Sequence, residues 1–360
     1  MAFAHSTHFQ HWFFTPEALQ TEKQETYERG IAHLGDSNSA AAAMTLEEED
    51  LLKRHYQTTI QEACAKMGVP DKVMASAITY FKRYFLKHPI THHSLKHIMA
   101  TCIYVAGKIE ECVIPATDLA AHLKMEAKQI LAQEIPLLEG LEFQFVVYHP
   151  HRPLHGFVLD LKERDDTPPN IDDIWIHARE LIHRVLTTDV PFLYTPSQVA
   201  LACLHQAAAD KEVSLAKYIH ERFSNNAGFK DLLETVKKIQ AFMGKQSAPV
   251  DSEQVQSLHE KYAQCMLPAL NPKSEAFKRK REKDKEEKDK ERQKKMRLLK
   301  EEEKAEVEFL TGASQGSDGE EEAEAKGTEE SEQREGEENK FTIRTVSKSD
   351  MKTRRVKKGK

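Results

Sequence analysis

Residues 98–107, IMATCIYVAG, pass ten positions without a charge, and VALACL (199–204) opens a second apolar segment. A helix that is apolar all round cannot rest on a surface; other elements must enclose it. The two segments overlay at an offset of 101 residues, which places Ile98 on Val199, Cys102 on Cys203 and Ala106 on Ala207. A repeat at this spacing implies two successive blocks, each wrapped round its own third helix.

The rest of the chain agrees with an all-α fold. Period-two alternation is nearly absent, and the one Asp-Gly (318–319) lies in a polar tail. Thr15-Pro16-Glu17 predicts a helix over about 15–30, and GDSNSAAAA (35–43) reads as a linker. In the first block the pattern predicts helices over about 45–66, 71–87, 92–109 (capped by Thr91), 116–122 and 125–141, the last carrying Pro136 as a kink. Tyr148-His-Pro-His-Arg-Pro153 marks a boundary. The second block follows over about 152–163, 170–188, 195–209, 214–222 and 229–243, with a last helix over about 250–268.

The expected organisation is therefore an N-terminal segment with one helix (1–44), a first five-helix block (45–147), a second (148–245) and a C-terminal helix (246–272). From 273 to 310 there are 15 Lys/Arg and 12 Asp/Glu with no glycine or proline, and opposite charges recur four apart, as in Asp284–Lys288 and Glu291–Lys295. This reads as a solvated single helix without the apolar seam of a coiled coil. Residues 311–360 read as a disordered tail, acidic to 340 and basic after it.

Composition narrows the function. Of 360 residues, 39% are apolar and 31% charged, and the five cysteines form no CxxC pair, which fits a reduced compartment. The N-terminal MAFAHSTHFQHWFF carries no signal-peptide pattern, and no apolar run is long enough for a membrane span, so a soluble intracellular protein is expected. GASQG (312–316) matches a nucleophile motif on paper but lacks its strand and helix. No phosphate loop is present, and no cofactor is expected. His93 and His97 stand one helical turn apart without a third ligand, so no metal is expected, and His5, His8 and His11 read as surface residues. The clusters FKRKREKDK (277–285) and TRRVKKGK (353–360) suit import signals better than nucleic-acid binding, because acids interleave the first of them. Lys278, Arg279, Lys280 and Arg281 form its core. Ser317, before acids, reads either as an acidophilic-kinase site or as an unmodified linker serine.

Lys108 closes the apolar helix. It is either a lysine at a helix end, held by the macrodipole and snorkelling outward, or one half of an ion pair with Glu134. Glu134 lies in a segment where Ile130, Leu131, Ile135, Leu138 and Leu141 form an apolar stripe, so a place at the rim of the core is expected.

These residues resemble the cyclin family. AGKIEE (106–111), LEF (141–143), His11-Trp12, YFKRYF (80–85), YHPHRPLHGFVLDLK (148–162) and LTTDVPFLYTPSQVAL (186–201) carry the likeness, over roughly 11–268. The resemblance implies two tandem five-helix cyclin boxes with flanking helices. It implies no enzyme but a regulatory subunit that binds and activates a cyclin-dependent kinase. Lys108 and Glu134 fall on the family's signature pair, which holds the kinase's mobile C-helix; Glu111, Trp12 and Phe14 join the expected kinase contacts, with Trp12 and Phe14 as anchors by which the first helix packs on the boxes or on the kinase. The helix LLKRHYQTTIQEAC lacks the substrate-docking motif of cell-cycle cyclins, which points to the transcription-type branch. The implied partners are the kinase of the CDK-activating complex, an assembly factor and the core of general transcription factor H, in the nucleus. Other transcription-type cyclins (C-, K-, L- or T-like) and a DNA-binding cyclin-fold transcription factor are the alternatives. Ala209 stands where the overlay puts the lysine, so only the first box is expected to carry the kinase contact.

Overall fold

The structure, a computed structural model, describes residues 3–32, 44–225, 227–246, 251–268, 270 and 274–310. The linker stretch 35–43, GASQG, Ser317 and the acidic and basic tail segments lie outside the described residues. The chain divides into two compact units, residues 1–291 and 292–360. Among the described residues every regular element is a helix.

Helix α1 (Thr7–Trp12) and helix α2 (Pro16–Ile31) open the chain. The segment was expected to hold one helix. The extra one is six residues long, too short for a periodic pattern, and it is started by Ser6, whose hydroxyl accepts from Phe9 N. Thr15 caps α2 as its sequence predicts.

The first bundle comprises α3 (Leu46–Lys66), α4 (Asp71–Lys87), α5 (Leu95–Ile109), α6 (Ala116–Leu123), α7 (Ala127–Ala132) and α8 (Glu134–Gly140). Thr45 and Glu48 complete a reciprocal capping box at the start of α3. Helix α5 is the enclosed one, with Leu95, Ile98 to Ile103 and Val105 to Gly107 all buried. Its cap is Ser94, not Thr91: the hydroxyls stand three residues apart, and Thr91 instead donates to Gly30 O at 2.8 Å, tying α2 to the bundle. The single helix expected over 125–141 is two. Pro136 has no N–H for the carbonyl of Ala132, and the helix breaks at Gln133, three residues upstream.

The second bundle comprises α9 (His151–Lys162), α10 (Ile171–Leu186), the short α11 (Val190–Leu193), α12 (Pro196–Asp210), α13 (Ala216–Phe223) and α14 (Phe229–Gln246). Helix α12, opened by a Thr195–Gln198 capping box, is its enclosed element, with Val199 to Leu204, Ala207 and Ala208 buried. The repeat inferred from sequence extends to the helix ends. Helix α5 stops with Glu111 at φ 56° and Cys112 N donating to Gly107 O at 2.8 Å; α12 stops with Glu212 at φ 59° and Val213 N donating to Ala208 O at 2.8 Å. These are left-handed stops of the same kind, again 101 residues apart.

Two cationic side chains stand where charge suggests a solvent face. Lys82 and Arg83 of α4 are buried, at 9% and 0% exposure. Lys82 Nζ donates to Leu186 O and Thr188 O of the second bundle, so it links the two boxes. Arg83 donates to Gln144 O at 2.9 Å and lies under the Trp12 ring, 5.0 Å from its centroid.

Helix α15 (Ser252–Cys265) returns to the first bundle. Tyr262 donates to His93 O at 2.5 Å, and Lys261 pairs with Glu48 at 2.5 Å. Helix α16 (Glu275–Leu310) carries the charged segment. Its described side chains are exposed, Lys278 and Arg279 among them.

Candidate partner-binding site at the end of the central helix

Helix α5 leaves the core at its last turn, and Lys108 is its first exposed residue after Ala106 and Gly107. The break at Gln133 makes Glu134 the opening residue of α8, where the helix dipole favours a carboxylate. Lys108 Nζ meets Glu134 Oε1 at 2.5 Å. The same ammonium lies 4.4 Å from the centroid of the Tyr104 ring, one turn back on α5. The hydrogen bond to Glu134, above all, raises the Lys108 pKa. Lys108 is 49% exposed and Glu134 only 21%, so the pair is fixed from below while its cation faces outward. Solvent screening makes such a pair a minor source of stability. What it supplies is a charge held in a defined place.

The turn after Lys108 is fixed just as closely. Gly107 sits against the returning backbone, where a Cβ would stand 2.8 Å from Cys112 O. Glu110 points inward: Ser76 Oγ donates to its Oε1 at 2.6 Å, and Lys72 Nζ donates to its carbonyl at 2.6 Å. Glu111 points outward from a left-handed backbone position that costs a non-glycine residue of order 1–3 kcal/mol.

Apolar side chains without cover stand in the same elements. Ile109 beside Lys108, and Leu131 and Ile135 on either side of the Gln133 break, are 41%, 48% and 59% exposed. Leu131 and Ile135 were expected in the buried stripe. Ile130 and Leu141 of that stripe are buried as expected, and Leu137 joins them in the core, because the break starts α8 in a new register. Tyr104 was not singled out from the sequence either, although its i,i+4 spacing to Lys108 was legible.

The N-terminal residues are placed differently from Lys108 and Glu134. Trp12 is 1% exposed, with Nε1 donating to Gln144 Oε1 at 2.7 Å and its face over Arg83. Its surface is spent within this chain: of its two expected places it takes the one on the boxes, anchoring the N-terminal segment to the first bundle, and not the one among partner contacts. Phe14 is half-buried, edge-on to Phe192 of the second bundle, and its N–H donates to Phe192 O at 2.8 Å. His8, expected at the surface, is buried and accepts from Tyr148 N at 3.1 Å; burial lowers its pKa to about 3. His93 is engaged with Tyr84 OH at 3.1 Å and does not join His97 in a ligand set. At the overlaid end of α12, Ala209 offers no cation.

A family model described as "Cyclin, N-terminal domain" matches residues 37–146, and one described as "Cyclin C-terminal domain" matches 149–244. Cyclin-H1-1 of Arabidopsis thaliana is 30% identical over 235 residues, an alignment covering 57% of this chain and 70% of that protein. A chain of the yeast TFIIK (Kin28/Ccl1/Tfb3) complex superposes with a TM-score of 0.58 at 28% identity, covering 67% of this chain and 100% of that one. A chain of the CAK complex of Chaetomium thermophilum, solved bound to ATP-gamma-S, shares the fold with a TM-score of 0.67 at 23% identity, over 89% of this chain and 98% of that one.

Proposed function

This chain belongs to the cyclin family, and we propose from that premise that it is the regulatory subunit of a CDK-activating kinase of the transcription-factor-H type. The likeness to cyclin H and to the yeast TFIIK chain supports the kinase class. The observation that carries the mechanism is the Lys108–Glu134 pair, presented at one end of the first box and absent from the second.

In this reading the protein does no chemistry of its own. A kinase helix that samples two positions is captured in one of them by a surface that binds that position better. Shifting such an equilibrium from 1:99 to 99:1 takes about 5.5 kcal/mol of differential affinity. Lys108 donates to the helix's backbone and side-chain acceptors, Glu134 holds Lys108 in place, and Glu111 adds a second outward charge. Ile109, Leu131 and Ile135 add apolar area; each is already about half covered, so covering the rest contributes roughly half of the ~1.5–3 kcal/mol of a full burial. Trp12 acts within the chain, and Phe14 touches the second box while keeping part of its surface free.

The wider assignment follows from the same reading: a third subunit that aids assembly, attachment to the core of general transcription factor H, and a nuclear location served by the basic cluster at 278–281. The boxes are assigned to 45–147 and 148–245. The test is affinity capture of the tagged full chain from nuclear extract, with bound proteins identified by mass. A cyclin-dependent kinase at near-equal stoichiometry is the expected result. Capture of nucleic acid or other proteins without such a kinase overturns the proposal.

A further inference from the structure

Behind the turn that follows Lys108, the start of α4 meets the second bundle. Asp71 opens α4, His151 opens α9, and His183 lies in the last turn of α10. One ligand atom from each of the three lies within 4.8 Å of the others. All three side chains are half-buried. They stand 80 and 32 residues apart in sequence, so only the packing of one box on the other brings them together.

Their hydrogen bonding is incomplete. Neither ring nitrogen of His151 has a partner, although both are shut off from solvent, and Nε2 of His183 is likewise buried without one. His183 Nε2 stands 3.5 Å from Asp71 Oδ1, without hydrogen-bond geometry. Buried polar atoms normally find partners, and each neutral imidazole keeps one lone-pair nitrogen, so one nitrogen of His151 and Nε2 of His183 can each serve an electron-pair acceptor. Two ligands of a tetrahedral ion with bonds of about 2.0–2.1 Å stand roughly 3.3 Å apart, close to the spacing of His183 and Asp71. Arg179 donates to Asp71 Oδ2, at 3.1 Å from Nε, and so leaves Oδ1 as the free ligand. Arg179 also offsets part of the charge the carboxylate would bring. Two imidazoles and one carboxylate oxygen form a donor set that suits zinc and its neighbours, not the all-oxygen shells of magnesium or calcium.

We propose that Asp71, His151 and His183 form a zinc site, with water at the fourth position, that fastens the first cyclin box to the second. The ion takes one ligand from the first bundle and two from the second, so it stabilises their packing.

The full-length protein, freed of metal by chelation, is titrated with Zn2+ alone and then passed through a desalting column. One zinc retained per chain is expected, with a higher melting temperature than the metal-free form. His151→Gln and His183→Gln should each weaken binding at least tenfold, while His122→Gln, at an exposed histidine, should leave it unchanged. Co2+ in place of zinc should give the intense visible bands of a four-coordinate ion. This readout uses the wild-type chain and does not depend on any variant folding. No retained zinc, equal retention by folded His151→Gln and His183→Gln, or a weak octahedral Co2+ spectrum overturns the proposal.

Discussion

Lys82 gives a pH signature that can be worked from the structure. Its ammonium is buried between the boxes, bonded to the carbonyls of Leu186 and Thr188 and 4.8 Å from the Phe192 ring centroid. Burial, the largest cause, pulls its pKa down from 10.5 to about 7, against a partial opposing pull from Asp189. Above the unfolded value of 10.5, both states hold a neutral amine and no penalty applies. As pH falls from 10.5 toward 7, the unfolded chain takes up a proton that the folded chain refuses, and stability is lost. Below about 7 the folded chain protonates as well, and the loss stops. Between pH 6 and pH 9 this linkage amounts to about 2.6 kcal/mol, with the protein more stable at pH 9. Other groups titrate over the same range, so the quantity to measure is a difference. Urea unfolding of the wild type and of Lys82→Met at pH 6 and pH 9 isolates it. Methionine leaves the two carbonyls short of a donor at both pH values, and that offset cancels in the slope. The stability of the wild type relative to Lys82→Met should rise by about 2.6 kcal/mol between the two conditions. A change below about 0.5 kcal/mol, near the resolution of such extrapolations, would refute the reasoning and place the Lys82 ammonium in contact with water.

Two further outcomes follow from the geometry. Glu111→Gly removes left-handed strain and should stabilise the fold by about 1 kcal/mol in denaturant unfolding, while lowering affinity for the kinase by removing an outward charge. Trp12→Ala should cost about 3 kcal/mol, the low end for a buried tryptophan because Arg83 regains water, and the loss should show as faster hydrogen exchange across α1 and α2.

The framework was legible because local signals and global packing agree. Thr15, Thr45 and Thr195 cap the helices they precede, and the apolar runs at 98–107 and 199–204 are the enclosed helices of their bundles. Where two signals competed, sequence could not choose: Thr91 and Ser94 are both hydroxyl caps, and only the α2 contact to Gly30 assigns them. Pro136 announced a disturbance, but the new register of Ile135 emerges only from the break. Lys82 and Arg83 could not be read as buried, since a charge in a helix suggests solvent until its partners on other elements are known. The same holds for Trp12, whose partners Arg83 and Gln144 lie far along the chain. The site divides along this line. Lys108 and Glu134 were visible as an unplaced cation and a rim carboxylate; their meeting at 2.5 Å, and the uncovered Ile109, Leu131 and Ile135 nearby, required the fold.

The central claim is that the first box activates a kinase through the Lys108–Glu134 pair. The most direct measurement is phosphorylation of a peptide substrate by the purified kinase subunit, with wild-type protein or with the Lys108→Ala/Glu134→Ala double variant at matched, saturating concentration. Circular dichroism and the melting temperature should be nearly unchanged, because solvent reaches the Lys108 ammonium and leaves the pair a minor source of stability. Activation should fall at least tenfold, which corresponds to the loss of about 1.4 kcal/mol of preference for the active kinase position. Full activation by a folded double variant would contradict the claim.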